Sequence, residues 1–129
     1  MTNAPTSALG GQVLAQRFAD AAISYARPRP SFNAVILLGF DQVCLLVRVC
    51  GGIVTGIEKL TRPLQSWDFS IRGSERAWLA YWQRTPTPGW HDILALNKRR
   101  EMCIEGNLHP LMANLQQVKD LLAAPREQQ

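Results

Sequence analysis

Histidine and cysteine are scarce in this chain of 129 residues. It has two histidines, His91 and His109, and three cysteines, Cys44, Cys50 and Cys103, so few of the side chains that bind metals or act as nucleophiles are present. The odd cysteine count and the lack of a CxxC spacing argue against a disulfide framework and against a structural zinc site. Charge is thin as well, at 19% of residues with a net +4. Its cations alternate with acids except at Lys98-Arg99-Arg100, which speaks against the concentrated basic stripe of a nucleic-acid binder. No long apolar run exists. The greasiest stretch, Ala34 to Cys50, is interrupted by Gly39, Asp41, Gln42 and Arg48. It falls short of the ~20 residues a membrane span needs, so no integral membrane insertion is expected. Met1 to Gly11 lacks a basic leader followed by an apolar run, and together with the unpaired thiols this predicts a cytoplasmic protein. None of the serines sits in a GxSxG elbow, and neither GxGxxG nor GxxxxGK[ST] occurs. Hydrolase, dinucleotide and phosphate-loop chemistry therefore have no anchor.

What the chain does have is 47% hydrophobic residues arranged with clear periods. A chain of this size buries about two-thirds of its surface, so residues 1–129 are expected to form one domain, with loose ends at 1–11 and 124–129. From Gln12 to Tyr25 the residues Leu14, Phe18, Ala21, Ala22 and Tyr25 recur at helical spacing, and Pro28 and Pro30 follow. Ala34–Leu38, Val43–Val49 and Ile53–Thr55 read as strands of two successive hairpins, with Arg48 on the wetter face. Trp67 to Arg72 alternates strictly, and Ser74 then opens a helix whose stripe is Trp78, Tyr81 and Trp82. Thr87-Pro88 predicts the start of a short third helix over Trp90, Ile93 and Leu94. Met102 and Ile104 alternate with polar residues as a last strand. Leu108, Leu111, Leu115, Val118 and Leu122 predict one closing helix, with a frayed tail from Arg126.

The chemistry-bearing candidates are weak. His91 and His109 have no identifiable partners, and Asp68, Asp92, Glu101 and Glu105 fall on expected solvent faces, so no catalytic site and no metal site is predicted. The aromatic and thioether set Trp67, Phe69, Trp78, Tyr81, Trp82, Trp90, Met102 and Met112 is expected to face one interior. It is either a plain core or the lining of an elongated apolar hollow. Lys98-Arg99-Arg100 complements the dipole at a helix end, or holds an anionic head group at the mouth of that hollow.

The run Trp67-Asp68-Phe69-Ser70-Ile71-Arg72-Gly73-Ser74, then Trp78-Leu79, Pro88-Gly89-Trp90, and Lys98-Arg99-Arg100-Glu101-Met102-Cys103-Ile104-Glu105-Gly106-Asn107 before a Leu-rich end resembles the sterol carrier protein 2 family, in its bacterial stand-alone form. The likeness lies in element order from Phe32 to Leu122, with Asn107 where the family usually has Asp. A related bacterial branch, the accessory factors of ubiquinone synthesis, shares a basic pair like Arg99-Arg100 before Ile104-Glu105-Gly106.

The resemblance implies an α+β fold: a mixed sheet of about five strands with helices on one face and an apolar tunnel between them. It implies non-catalytic binding or carrying of a fatty acid, acyl-CoA, sterol or other lipid, with no cofactor. The lining expected for such a ligand is Phe69, Ile71, Met102 and Ile104 from the sheet, with Trp78, Tyr81, Trp82, Trp90, Leu94, Leu111, Met112 and Leu115 from the helices. Lys98, Arg99 and Arg100 are expected at the head group. The alternative is a small accessory protein with a filled core that supports a partner enzyme in quinone or lipid metabolism, or that pairs as a homodimer through Cys44, Leu46 and Cys50. No nucleic-acid partner is expected, and transient membrane contact stays open.

Overall fold

The computed structural model describes residues 4–61, 65–90 and 92–128. The alternating apolar runs become β1 (Ala34–Phe40), β2 (Val43–Cys50) and β3 (Ile53–Lys59), joined as two antiparallel hairpins. The second hairpin turns on Gly51 and Gly52, both with positive φ (60° and 82°), the conformation that suits the right-handed twist of a two-residue turn. A side chain at Gly52 would place its Cβ 2.2 Å from the Arg27 carbonyl oxygen, so only glycine fits there. β4 (Phe69–Gly73) then lies parallel to β1, and β5 (Met102–Gly106) pairs antiparallel with β4. The strand order is β3-β2-β1-β4-β5, a five-stranded mixed sheet as expected.

One face of that sheet carries the helices α1 (Ala4–Ala22), α2 (Glu75–Tyr81), α3 (Ile93–Lys98), α4 (His109–Ala113) and α5 (Leu115–Leu122). Ile36, Leu38 and Phe40 of β1, Leu45 and Val47 of β2, and Phe69, Ile71 and Met102 point into this layer, where they meet Leu14, Phe18 and Ala22 of α1. The inner stripe of α1 is the one its periodicity predicts, but the helix stops at Ala22 and leaves Tyr25 beyond it. There the chain turns to pair with β3: Ala26 bridges Ile53, and the Val54 amide donates to the Tyr25 carbonyl at 3.1 Å. On the other sheet face Arg48 is exposed and meets Glu58 at 3.0 Å, whereas Leu37 and Leu46 are fully buried. Leu46 is therefore covered within the chain and does not offer the partner contact expected of it. Trp67 departs from its expected role too, being half-buried and outside the buried cluster, because β4 starts only at Phe69.

Two helix expectations need correction. The third helix begins not at Thr87-Pro88 but after Asp92, whose side chain accepts from the Leu94 amide at 2.9 Å. The single closing helix is two, broken at Asn114 (φ −130°, ψ 37°). Asn114 is buried, and its side chain is fully engaged: Oδ1 accepts from Arg29 Nε (2.8 Å) and Ser31 Oγ (3.2 Å), while Nδ2 donates to the Ser31 and Pro110 carbonyls. These hydrogen bonds, three of them to a distant loop, outweigh the continuous helix that the leucine spacing favours. Arg126, expected in a frayed tail, lies in a short 3-10 turn (Ala124–Gln128) and donates through Nε to the Tyr81 carbonyl at 3.1 Å.

Asn114→Ala is expected to lower unfolding stability by about 2–3 kcal/mol, because it strands buried donors and acceptors on both sides of the break. Urea unfolding followed by circular dichroism measures this as a lower midpoint at unchanged slope, and a midpoint equal to that of the parent protein would refute it.

Candidate functional site

Ser74 starts α2 as its sequence predicts, accepting from the Ala77 amide at 3.1 Å. The helix then presents Trp78, Tyr81 and Trp82 on one face, all essentially without solvent exposure. The Phe40 ring lies 4.8 Å from Trp78 and 5.9 Å from Trp82, with Trp78 and Trp82 5.5 Å apart and Phe18 5.8 Å from Phe40. These are contact distances for tilted rings, which pack directly on one another. Each ring's polar atom is satisfied: Trp78 Nε1 donates to the Gly39 carbonyl and Trp82 Nε1 to the Leu122 carbonyl, both at 2.8 Å, and Tyr81 Oη to the Lys119 carbonyl at 3.2 Å. Guanidinium groups cap the cluster from outside, Arg17 5.1 Å from the Trp82 ring and Arg126 4.9 Å from the Tyr81 ring. Phe69, Ile71, Met102 and Leu111 are buried in the same layer. Thus seven of the residues expected to line a hollow form packed interior.

The other five do not close. Trp90, Ile104 and Leu115 pack against the core yet stay half-exposed, Leu94 is half-exposed on α3, and Met112 is 54% exposed on α4. Of these, Ile104 lies on the edge strand β5 and Leu94 on α3, which packs beside it. Trp90 is held between two guanidinium groups, Arg76 at 5.2 Å and Arg99 at 4.7 Å from its ring, and Arg99 also donates to the Gly89 carbonyl at 2.9 Å. Asn97 Oδ1 accepts from the Ile104 amide at 3.0 Å, which fastens the last turn of α3 to the edge strand. The basic run ends α3 as its position predicts, but its members diverge. Arg99 is committed to the Trp90 loop, while Lys98 and Arg100 are exposed, Arg100 with a positive φ of 63°. Arg100 and Arg72 border a surface hollow of about 560 Å³ with Asp41, Ser74, Glu101 and Cys103.

The candidate acids have structural partners. Asp68 Oδ2 accepts from the Val35 amide at 2.7 Å, and Asp92 both caps α3 and meets Lys119 Nζ at 3.3 Å. His109 is exposed on α4, and His91 lies outside the described residues. Among the described residues no group of three or more His, Cys, Asp or Glu is placed to hold a metal ion, and no helix is long and apolar enough to cross a membrane. A second groove, of about 420 Å³, lies between α1 and β2–β3, floored by Val43, Leu45 and Ile57. Sequence reasoning did not single it out, since strand alternation marks those residues as inward-facing without showing that α1 leaves the β3 side uncovered.

Burial raises the phenol pKa of both tyrosines, strongly for Tyr81, where Arg126 partly offsets it, and less for Tyr25, where Arg27 does so. A phenol pKa raised by folding leaves stability undiminished below the ordinary tyrosine value of about 10 and erodes it as the pH climbs above that toward the folded value. Spectrophotometric titration is expected to show Tyr81 ionising only together with loss of the fold, whereas reversible phenolate formation by both tyrosines near pH 10 would contradict the packing described. Trp78→Phe, which leaves the Gly39 carbonyl without its indole donor, is expected to cost about 2–4 kcal/mol in urea unfolding.

No family model and no curated protein sequence matches the chain. Comparison with solved structures does find likenesses. A crystal structure of sterol carrier protein 2 aligns over 92% of this chain and 95% of its own length, with a TM-score of 0.57 at 15% identity. UbiJ-SCP2, a ubiquinone synthesis protein, aligns over 98% of this chain and 97% of its own, with a TM-score of 0.53 at 12% identity. Near-complete coverage in both directions, on a five-stranded mixed sheet covered by helices, gives the chain the sterol carrier protein 2-like fold.

Proposed function

We propose that this protein binds one lipid-class molecule, without chemistry, at the β5 edge of the helix-covered sheet face. The observation that carries the proposal is that Trp90, Leu94, Ile104, Met112 and Leu115 stay partly or largely exposed while the rest of the expected lining is buried. The fold likeness supports it, since the matched proteins are a sterol carrier and a ubiquinone synthesis protein. A ligand that buried around ten methylene groups there would gain about 8 kcal/mol before ordering costs, enough for micromolar affinity. Lys98 and Arg100 are the cations left for a carboxylate or phosphate head, because Arg99 already serves the Trp90 loop. The three unpaired thiols accord with a cytoplasmic setting.

A second reading draws on the ring cluster itself. A solid centre around Phe40, Trp78 and Trp82 suits an accessory protein that supports a partner enzyme in quinone or lipid metabolism through its surface.

Titration of the pure protein with fatty acids, acyl-CoAs, sterols and quinones is expected to change the fluorescence of Trp90 saturably for at least one class, with lipid co-purifying by mass spectrometry. Met112→Glu, at an exposed position, is expected to keep the circular dichroism spectrum and weaken that binding by about tenfold or more. Failure of every ligand class to saturate would remove the carrier reading and leave the accessory one.

A further inference from the structure

The surface hollow of about 560 Å³ lies at one end of the sheet, where β1 and β4 finish and β5 begins, since Phe40, Gly73 and Met102 share one row of the register. Arg72 borders it from the face away from the helices: it is in register with Gly39 and Cys103, and it follows Ile71, which points into the helix layer. Arg72 and Arg100 are the two cations of this hollow, and neither has a hydrogen-bond or ion-pair partner among the described residues. Every other described arginine is engaged, as Arg48 is with Glu58, Arg29 with Asn114 and Arg17 with the Trp82 ring. The acids of the same hollow, Asp41 and Glu101, form no ion pair among the described residues either. Two backbone features hold the cations in place. A side chain at Gly39 would put its Cβ 2.8 Å from Arg72 Cγ, so glycine there makes room for the arginine stem. Arg100 ends α3 with φ 63°, its amide donating to the Asn97 carbonyl (3.0 Å) and the Glu101 amide to the Leu96 carbonyl (2.9 Å). That helix ending favours glycine, so Arg100 gains nothing from its backbone and contributes through its side chain.

We infer that this hollow binds a short zwitterionic peptide, with its terminal carboxylate on the guanidinium groups of Arg72 and Arg100 and its terminal ammonium on Asp41. Guanidinium forks match a carboxylate through paired charge-assisted hydrogen bonds. Two cations and two acids leave the hollow without net charge, so a plain anion meets repulsion as well as attraction, whereas a molecule carrying both signs satisfies both. Spacing sets the length of the ligand. Asp41 follows β1 and Arg100 precedes β5, on opposite sides of β4, which separates them by two strand spacings or roughly 10 Å. Three residues of extended chain reach about 10 Å. The site goes beyond the lipid reading and does not depend on it; Arg100 serves this hollow, which leaves Lys98 as the cation for a lipid head.

Titration of the intact protein with triglycine, followed by NMR of its backbone amides, tests this. Saturable shifts are expected at Gly73 and Cys103. Triglycinamide, which lacks the carboxylate, N-acetyl-triglycine, which lacks the ammonium, and inorganic phosphate are each expected to bind about tenfold more weakly or worse. R72Q and R100G are each expected to weaken triglycine binding about tenfold. R100G puts glycine where the backbone favours it and is expected to keep or raise the urea midpoint, so its loss of binding is not a loss of fold. D41N is expected to weaken triglycine while leaving the acetylated peptide unaffected, and K98Q to change neither. No saturation by triglycine, equal binding of the amidated or acetylated peptide, tighter binding of phosphate, parent-like affinity in R72Q and R100G, or an equal loss in K98Q would each overturn the inference. Met112→Glu is expected to leave triglycine binding intact while weakening lipid binding, so failure of one reading is distinguishable from failure of the other.

Discussion

Buried indoles impose the constraint on which the rest of this architecture depends. A tryptophan removed from water must still find an acceptor for its N–H, and α2 brings two of them into the interior one turn apart. Trp78 finds the Gly39 carbonyl of β1 and Trp82 finds the Leu122 carbonyl at the end of α5, so one short helix pins the centre of the sheet and the last helix at once. Tyr81 adds a third attachment through Lys119, and Phe18 brings α1 onto the same rings. A seven-residue helix has little stability of its own. Its position is decided by where its rings can be both buried and hydrogen-bonded.

That attachment divides the helix-covered layer into two unlike halves. Around α1, α2 and β1 the space is filled by rings at contact distance, sealed outside by the guanidinium groups of Arg17 and Arg126. Toward β5 the cover is uneven, with Ile93, Leu96 and Leu111 buried. The helices there are five and six residues long, and Trp90, Leu94, Ile104 and Leu115 are each left partly in water. The Trp90 loop, clasped by Arg76 and Arg99, borders the open half.

Much of the fold was legible in the sequence because its signals are local. The period-two runs around Val43 to Val49 and Phe69 to Arg72, the glycine pair at 51–52, and the Ser74 cap each state their structure within a few residues. The resemblance in element order led to the right architecture although no single motif is strong. The candidate site was legible only as a set. Composition marked the apolar residues, but strand and helix periods say which face a side chain takes and not how completely that face is covered. Phe69 and Trp82 therefore looked equivalent to Leu94 and Met112, and the structure separates them.

Position 114 shows the same limit from the other side. Leu108 to Leu122 carries a regular stripe that favours one helix, yet the break there depends on Arg29 and Ser31, more than eighty residues earlier in the chain. By itself the sequence determined which segments are strands and helices and which of their faces are apolar, because backbone preference and side-chain period act between near neighbours. The tertiary structure alone decided that the closing helix breaks, that the large rings fill one half of the layer, and that α4 turns Leu108 and Met112 to the outside, because each of these follows from contacts between residues far apart in the chain, which no local period encodes.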